Sequence, residues 1–189
     1  MLEGKILTLK TISNDGFDIN HTCCFSGHRP EKLAQSGNVN SPQIRRLISM
    51  LYLEIENTIE NGYTNFITGM ARGIDLWAAG YIFEKRIKNP NLKLICAIPY
   101  EGHGKNLKNA EKWEYDNIVA SADKVYILEN KYTKNCMQKR NHFMVDNSSK
   151  VIAVVDNYRS GTGQTIRYAL SKGVDVHIID INKNAPILK

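Results

Sequence analysis

Residues Phe66-Ile67-Thr68-Gly69-Met70-Ala71-Arg72-Gly73-Ile74-Asp75-Leu76 run from an apolar stretch, through two glycines, into the start of a helical pattern. An apolar run that stops at glycine and resumes at helical spacing marks the corner between a β-strand and the helix after it. The spacing predicts a strand over Phe66–Thr68 and a helix over Asp75–Lys88, with Leu76, Ala79, Ile82 and Phe83 inward and Asn89-Pro90 as its stop.

The same alternation extends in both directions. Upstream, Thr22–Ser26 reads as a buried strand ending at Gly27. Ser41-Pro42 then supplies an N-cap and a proline at the first helical position. Ile44, Leu47, Ile48, Leu51, Ile55 and Ile59 form one apolar face, closed by Asn61-Gly62. Downstream, strands are expected at Leu92–Ile98, Lys124–Leu128, Val151–Val155 and Val174–Ile179. Helices are expected at Ala110–Ala120, Asn135–Asn147 and about Thr165–Lys172.

Strands that are apolar throughout and separated by helices imply a parallel sheet covered on both faces. With right-handed crossovers the fold class is α/β, a Rossmann-like, doubly wound, mainly parallel sheet of about six strands. Residues 22–189 read as one domain of that kind. Residues 1–21 read as a short N-terminal β extension, a strand or hairpin around Asn14-Asp15-Gly16.

With 189 residues, 42% of them hydrophobic and 23% charged, the chain can bury about 70% of its unfolded surface, which excludes disordered and fibrous classes. The longest apolar runs are a handful of residues, far below the roughly 20 of a membrane-spanning helix. The start Met1-Leu2-Glu3-Gly4-Lys5 lacks the pattern of a secretory signal, so a cytoplasmic location is expected. Cys23, Cys24, Cys96 and Cys136 have neither bridge nor zinc-ligand spacing, and no metal site is expected. The net charge of +6 is a weak pointer to an anionic partner, and its densest stretch holds Lys131, Lys134, Lys139 and Arg140.

In a doubly wound sheet, ligands bind beyond the carboxyl ends of the strands, where strand order reverses. Three such corners are small, polar and glycine-bearing. The first is Ser26-Gly27-His28-Arg29-Pro30, and the second carries Gly69, Met70, Ala71, Arg72, Gly73 and Asp75. The third runs from Asp156 through Ser160, Gly161, Thr162 and Gly163 to Thr165. Glycine lets backbone N–H groups approach an oxyanion, hydroxyls add contacts and arginine adds a bidentate fork, which together describe a phosphate cradle. Neither a Walker motif nor a full Gly-x-Gly-x-x-Gly is present, which disfavours P-loop nucleoside triphosphatases and ordinary dinucleotide dehydrogenases. Arg72 is a candidate phosphate contact or a partner of a helix carboxylate such as Asp75, and Asp75 a helix cap. The loop Pro99–Gly104 offers Tyr100 for stacking, Glu101 for ribose hydroxyls and His103. Glu101 and His28 are the acid/base candidates.

Gly69-Met70-Ala71-Arg72-Gly73-Ile74-Asp75 resembles the signature of the DNA-processing protein A (Smf) family. Gly27-His28-Arg29 and Arg140-Asn141 look like that family's first turn and its Arg-Asn pair. Over residues 22–181 the chain is most similar to the YpsA-like family of the SLOG superfamily, which also holds the lysine-decarboxylase-like (LOG) proteins. The resemblance implies a Rossmann-like fold that binds nucleotides or nucleotide-derived ligands. It also draws Arg140 and Asn141 into the site.

Relatives include phosphoribohydrolases, single-stranded DNA binders and sensors of ADP-ribose-type signals. LOG enzymes carry Pro-Gly-Gly-x-Gly-Thr-x-x-Glu, whereas here Ser160-Gly161-Thr162-Gly163-Gln164-Thr165 leads to no glutamate at the matching place. The expectation is therefore binding of a nucleotide or ADP-ribose-like small molecule, as sensor or sequestering protein. The alternatives are hydrolysis of an N-glycosidic or phosphoester bond, and single-stranded nucleic-acid binding through the Lys131–Arg140 stretch. A homodimer through the Ile44–Ile59 helix is a further expectation.

Overall fold

The computed structural model describes residues 6–8, 18–33 and 38–181. Its strands are β1 (Ile6–Thr8), β2 (Thr22–Gly27), β3 (Asn65–Thr68), β4 (Lys93–Ile98), β5 (Lys124–Ile127), β6 (Lys150–Val155) and β7 (Asp175–Asp180). The helices are α1 (Pro42–Glu60), α2 (Ile74–Lys85), α3 (Asn109–Ser121), α4 (Cys136–Asp146) and α5 (Gly161–Ser171).

The strands form one sheet in the order β1-β5-β4-β3-β2-β6-β7, and every pairing is parallel. The chain steps outward from β2 to β5, then returns past β2 to lay down β6 and β7. Strand order thus reverses between β2 and β6, and the loops after those two strands diverge at their carboxyl ends. The expected α/β class and six core strands are present. A seventh, β1, extends the sheet beyond β5, with Leu7 opposite Tyr126. The Asn14-Asp15-Gly16 hairpin lies outside the described residues.

Alternation along each strand sends side chains to two cores. Cys23, Phe25, Phe66, Leu94 and Cys96 share one core with α1, α2 and α3. Cys24, Ile67, Ile95, Tyr126 and Val151 share the other with Met144 and Val145 of α4 and Ile166 and Ala169 of α5. This is why the strands read as apolar throughout. All four cysteines are buried and unbridged, and no described helix is long and apolar enough to cross a membrane.

Helix α1 starts where the sequence places it: the Ser41 side chain accepts the Ile44 N–H at 3.3 Å, with Pro42 in the first turn. Its apolar stripe packs against the sheet, with Ile44, Leu47, Leu51 and Ile55 buried. Ile48 and Ile59 of the same stripe are partly buried against that core, and Leu53 of this helix is 63% exposed. Helix α2 stops at Lys85 rather than Lys88, and Phe83, expected inward, is 37% exposed. The buried face of α2 centres on Asp75, Ala78, Ala79 and Ile82, and Phe83 lies one step past its edge. Helix α5 begins at Gly161, four residues before the expected Thr165. Its glycines read as loop, yet Ser160 caps the helix by accepting the Gly163 N–H.

Candidate functional site

A cavity of about 310 Å³ opens at the reversal point between β2 and β6. Its walls come from the corner after β2 (Ser26, Gly27, His28, Arg29), the corner after β3 (Ala71, Asp75), helix α4 (Met137, Arg140, Asn141) and the start of α5 (Ser160, Gly161, Thr162). All three corners singled out in the sequence meet here. A second cavity of about 240 Å³ adjoins it, sharing Arg29, Ala71 and Met137, and is lined further by Met70, Arg72, Tyr100 and His103.

Arg140 is the structural centre of the first cavity. It is 5% exposed, and its Nη1 donates to Asp75 Oδ2 at 3.0 Å. Asp75, 4% exposed, also accepts the Ala71 N–H at 3.4 Å, so it ties the β3 corner to α4 as well as standing in the first turn of α2. Burial pushes the Asp75 carboxyl above its ordinary value, and the Arg140 guanidinium pulls it back. The buried Arg140 Nε has no hydrogen-bond partner among the described residues.

Gly69 makes that arrangement sterically possible. A Cβ there would overlap the Arg140 guanidinium and stand 2.7 Å from Asp75 Oδ2. The Gly69…Asp75 signature is therefore a socket for Arg140, and Gly69 itself lines neither cavity. Gly163 is packed against the Tyr158 carbonyl in the same way, whereas a Cβ on Gly161 meets nothing within 4 Å. Gly73 caps α2 at a φ of +84°. Of these glycines, Gly161 is the one that lines the first cavity.

Helix α5 aims its N-terminus into the first cavity. Helical geometry leaves the Gly161 and Thr162 N–H groups without intrahelical acceptors, which together with the helix dipole favours an anion. Thr165 is buried one turn in, donating to the Gly161 carbonyl at 3.1 Å and accepting from Asn141 Nδ2 at 2.9 Å. It locks α4 to α5 and does not line the cavity.

Arg29 is exposed and makes no ion pair among the described residues. Its positive charge nevertheless acts on Asp75, Arg140 and His103, which places it over the cleft. Arg72 differs: its Nε donates to Glu111 at 2.8 Å and its Nη1 to Glu31 at 3.4 Å. The partner weighed for Arg72, Asp75, belongs to Arg140 instead.

His28 is 4% exposed; its Nε2 lies 2.6 Å from Asp156 Oδ1, to which it donates when it carries the proton, and 3.2 Å from the Asp156 backbone N, whose N–H it accepts when it does not. Burial lowers its pKa from the ordinary value, against the opposing pull of Asp156. The pair ties the end of β2 to the end of β6. Tyr100 lines the second cavity, whereas Glu101 is exposed and lines neither. The basic stretch is divided: Lys131 and Lys134 are exposed, Lys139 pairs with Glu129, and Arg140 is buried.

Lys32 and Met137 line the site without having been marked as site residues by the sequence. Lys32 follows the Gly-His-Arg-Pro corner in a short 3-10 turn, Pro30–Lys32, and proximity to that corner was the available signal. Met137 read only as a helix packing residue.

The fold and site define a Rossmann-like protein with a basic cleft at the switch point of its sheet. The model of the YpsA family, described as the YspA SLOG family, matches residues 23–183, and the chain belongs to that family. The SPbeta prophage-derived protein YoqJ of Bacillus subtilis is 31% identical over 145 residues, covering 69% of this chain and 84% of that protein. A UPF0398 protein of Bacillus cereus is 27% identical over 143 residues, covering 75% and 77%. The fold is also that of DNA processing protein A. The Streptococcus pneumoniae structure matches with a TM-score of 0.56 at 20% identity over 89% of this chain, which spans about half of that protein, 52%. The Helicobacter pylori structure, whose subject is a single-stranded DNA binding mode, matches with a TM-score of 0.58 at 16% identity, covering 88% of this chain and 72% of that one.

Proposed function

We propose that the chain binds the phosphate of a nucleotide or nucleotide-derived small molecule in the cleft at the β2/β6 switch point. The observation that carries this reading is the convergence of the α5 N-terminus, Arg29 and Arg140 on one cavity of about 310 Å³. Backbone N–H groups and a helix dipole suit an oxyanion, and the Arg29 guanidinium, which makes no ion pair among the described residues, supplies the balancing charge.

Binding is favoured over turnover. Among the described residues, the only carboxylate lining either cavity is Asp75, which is buried and held by Arg140. The imidazoles lining the two cavities are His28, whose ring is already engaged with Asp156, and His103, whose pKa is held down to about 4 by burial. A sensor or sequestering role in the cytoplasm needs no further group.

Titration calorimetry with inorganic phosphate and ribose 5-phosphate tests the reading. Saturable binding that weakens at least tenfold in Arg29→Ala supports it, whereas no binding by the wild type overturns it.

A second reading, single-stranded nucleic-acid binding, is favoured by the fold shared with DNA processing protein A and by Tyr132. That ring is 64% exposed, sits edge-on to Tyr100 and is flanked by the exposed Lys131 and Lys134. Retention on an oligonucleotide that collapses with added salt supports this reading. Salt-tolerant capture of a mononucleotide opposes it.

A further inference from the structure

We propose that the second cavity takes the heterocycle of a nucleoside monophosphate whose single phosphate occupies the first. This deepens the phosphate-cleft reading and rests on it.

The two cavities lie side by side, sharing Arg29, Ala71 and Met137 in their walls, a placement that suits one ligand laid across both. Their linings differ in kind. The first presents a helix N-terminus and cations. The second presents the apolar Met70, Leu107 and Met137 beside two rings, Tyr100 and His103. Tyr100 is held edge-on by His103, with centroids 5.5 Å apart at 86°, and by Tyr132 at 5.4 Å and 85°. A ring fixed by two aromatic neighbours gives a planar heterocycle a stacking surface at little entropic cost.

His103 adds a polar contact. Its Nδ1 is buried and has no hydrogen-bond partner among the described residues. Such a group loses its water without compensation unless a ligand supplies a partner. Burial, reinforced by Arg140 and Arg29, drives the imidazole pKa down to about 4. The ring is therefore neutral near pH 7 and offers either a donor or an acceptor to a base edge.

Charge limits the phosphate count. The first cavity is lined by Arg29, Lys32 and Arg140 against one carboxylate, Asp75. The remaining two positive charges match a phosphate monoester, which carries about −1.5 to −2 at neutral pH. Arg72, the further cation of the second cavity, is already committed to Glu111 and Glu31. A longer phosphate chain finds no additional unpaired arginine in either lining.

The test is a calorimetric ladder on the full chain. It compares inorganic phosphate, ribose 5-phosphate, the four common nucleoside 5′-monophosphates and adenosine triphosphate, with wild type, Tyr100→Leu and His103→Ala. At least one monophosphate is expected to bind about tenfold or more tightly than ribose 5-phosphate, with the triphosphate no tighter. Each variant is expected to bring the monophosphate-to-ribose-5-phosphate ratio toward one. Equal affinity for ribose 5-phosphate and all four monophosphates overturns the heterocycle assignment while leaving the phosphate cleft standing. A triphosphate preference of tenfold overturns the charge argument. Failure of every phosphate compound to bind removes the cleft reading and this one together. The wild-type ladder decides the question even where a variant does not fold.

Discussion

Replacing Gly69 by alanine tests the socket for Arg140 with one methyl group. The new Cβ would overlap the Arg140 guanidinium and lie 2.7 Å from Asp75 Oδ2. Gly69 does not have a positive φ, so backbone strain adds nothing and the effect is steric. The guanidinium must withdraw from Asp75 toward the cavity that it lines. Withdrawal leaves Asp75, 4% exposed, as a buried carboxylate without its cation. Breaking a buried pair in this way costs about 3–5 kcal/mol.

At roughly 2–4 °C per kcal/mol for a chain of this size, Tm should fall by about 10 °C. Urea unfolding followed by circular dichroism measures the loss in Gly69→Ala, Arg140→Met and the double variant. Once Arg140 is gone the worst overlap is relieved and the ion pair is already lost, leaving the closer approach to Asp75 Oδ2, so Gly69→Ala added to Arg140→Met should cost no more than about 1 kcal/mol. Additive losses, or a Gly69→Ala loss below about 1 kcal/mol, would refute the reasoning.

Gly161→Ala should behave in the opposite way: with nothing within 4 Å of the added Cβ, stability should stay within about 0.5 kcal/mol of wild type by the same urea assay, while phosphate affinity falls because the methyl enters the cleft. Arg29→Ala should weaken phosphate binding far more than Arg72→Ala, since Arg72 is neutralised by Glu111 and Glu31; comparable losses in calorimetry would reverse that ranking. His103 contributes to acid sensitivity. Its folded pKa of about 4 lies below the ordinary 6.5, so the unfolded chain binds the extra proton and stability drops as pH falls from about 6.5 to about 4. The contribution is at most about 3 kcal/mol, and His103→Gln should flatten the stability profile in that window; an unchanged profile would contradict the neutral, buried imidazole.

Elements whose signals are local could be read directly. Helix α1 carried its own cap, proline and apolar stripe, and the core strands were bounded by glycines and turns, so their ends fall within a residue or two. The start of α5 was hidden because Gly161 and Gly163 are poor helix formers; Gly163 is nevertheless required by its contact with the Tyr158 carbonyl, and Ser160 supplies the cap. Pairings across long stretches of chain left no periodic trace. Arg140 meets Asp75 from 65 residues away, His28 meets Asp156 from 128, and Arg72 finds Glu111 from 39. The corners marked in the sequence line one cavity, and the contacts that some of their residues make inside the protein were not legible there. Gly69 makes room for Arg140, and Thr165 binds Asn141 and the Gly161 carbonyl.

A crystal structure grown with a nucleoside monophosphate at millimolar concentration tests the central claim most directly. The account predicts the phosphate within hydrogen-bond reach of the Gly161 and Thr162 N–H groups and of Arg29. A phosphate bound elsewhere, with the α5 N-terminus facing only solvent and Arg29 turned away from the cleft, would contradict it.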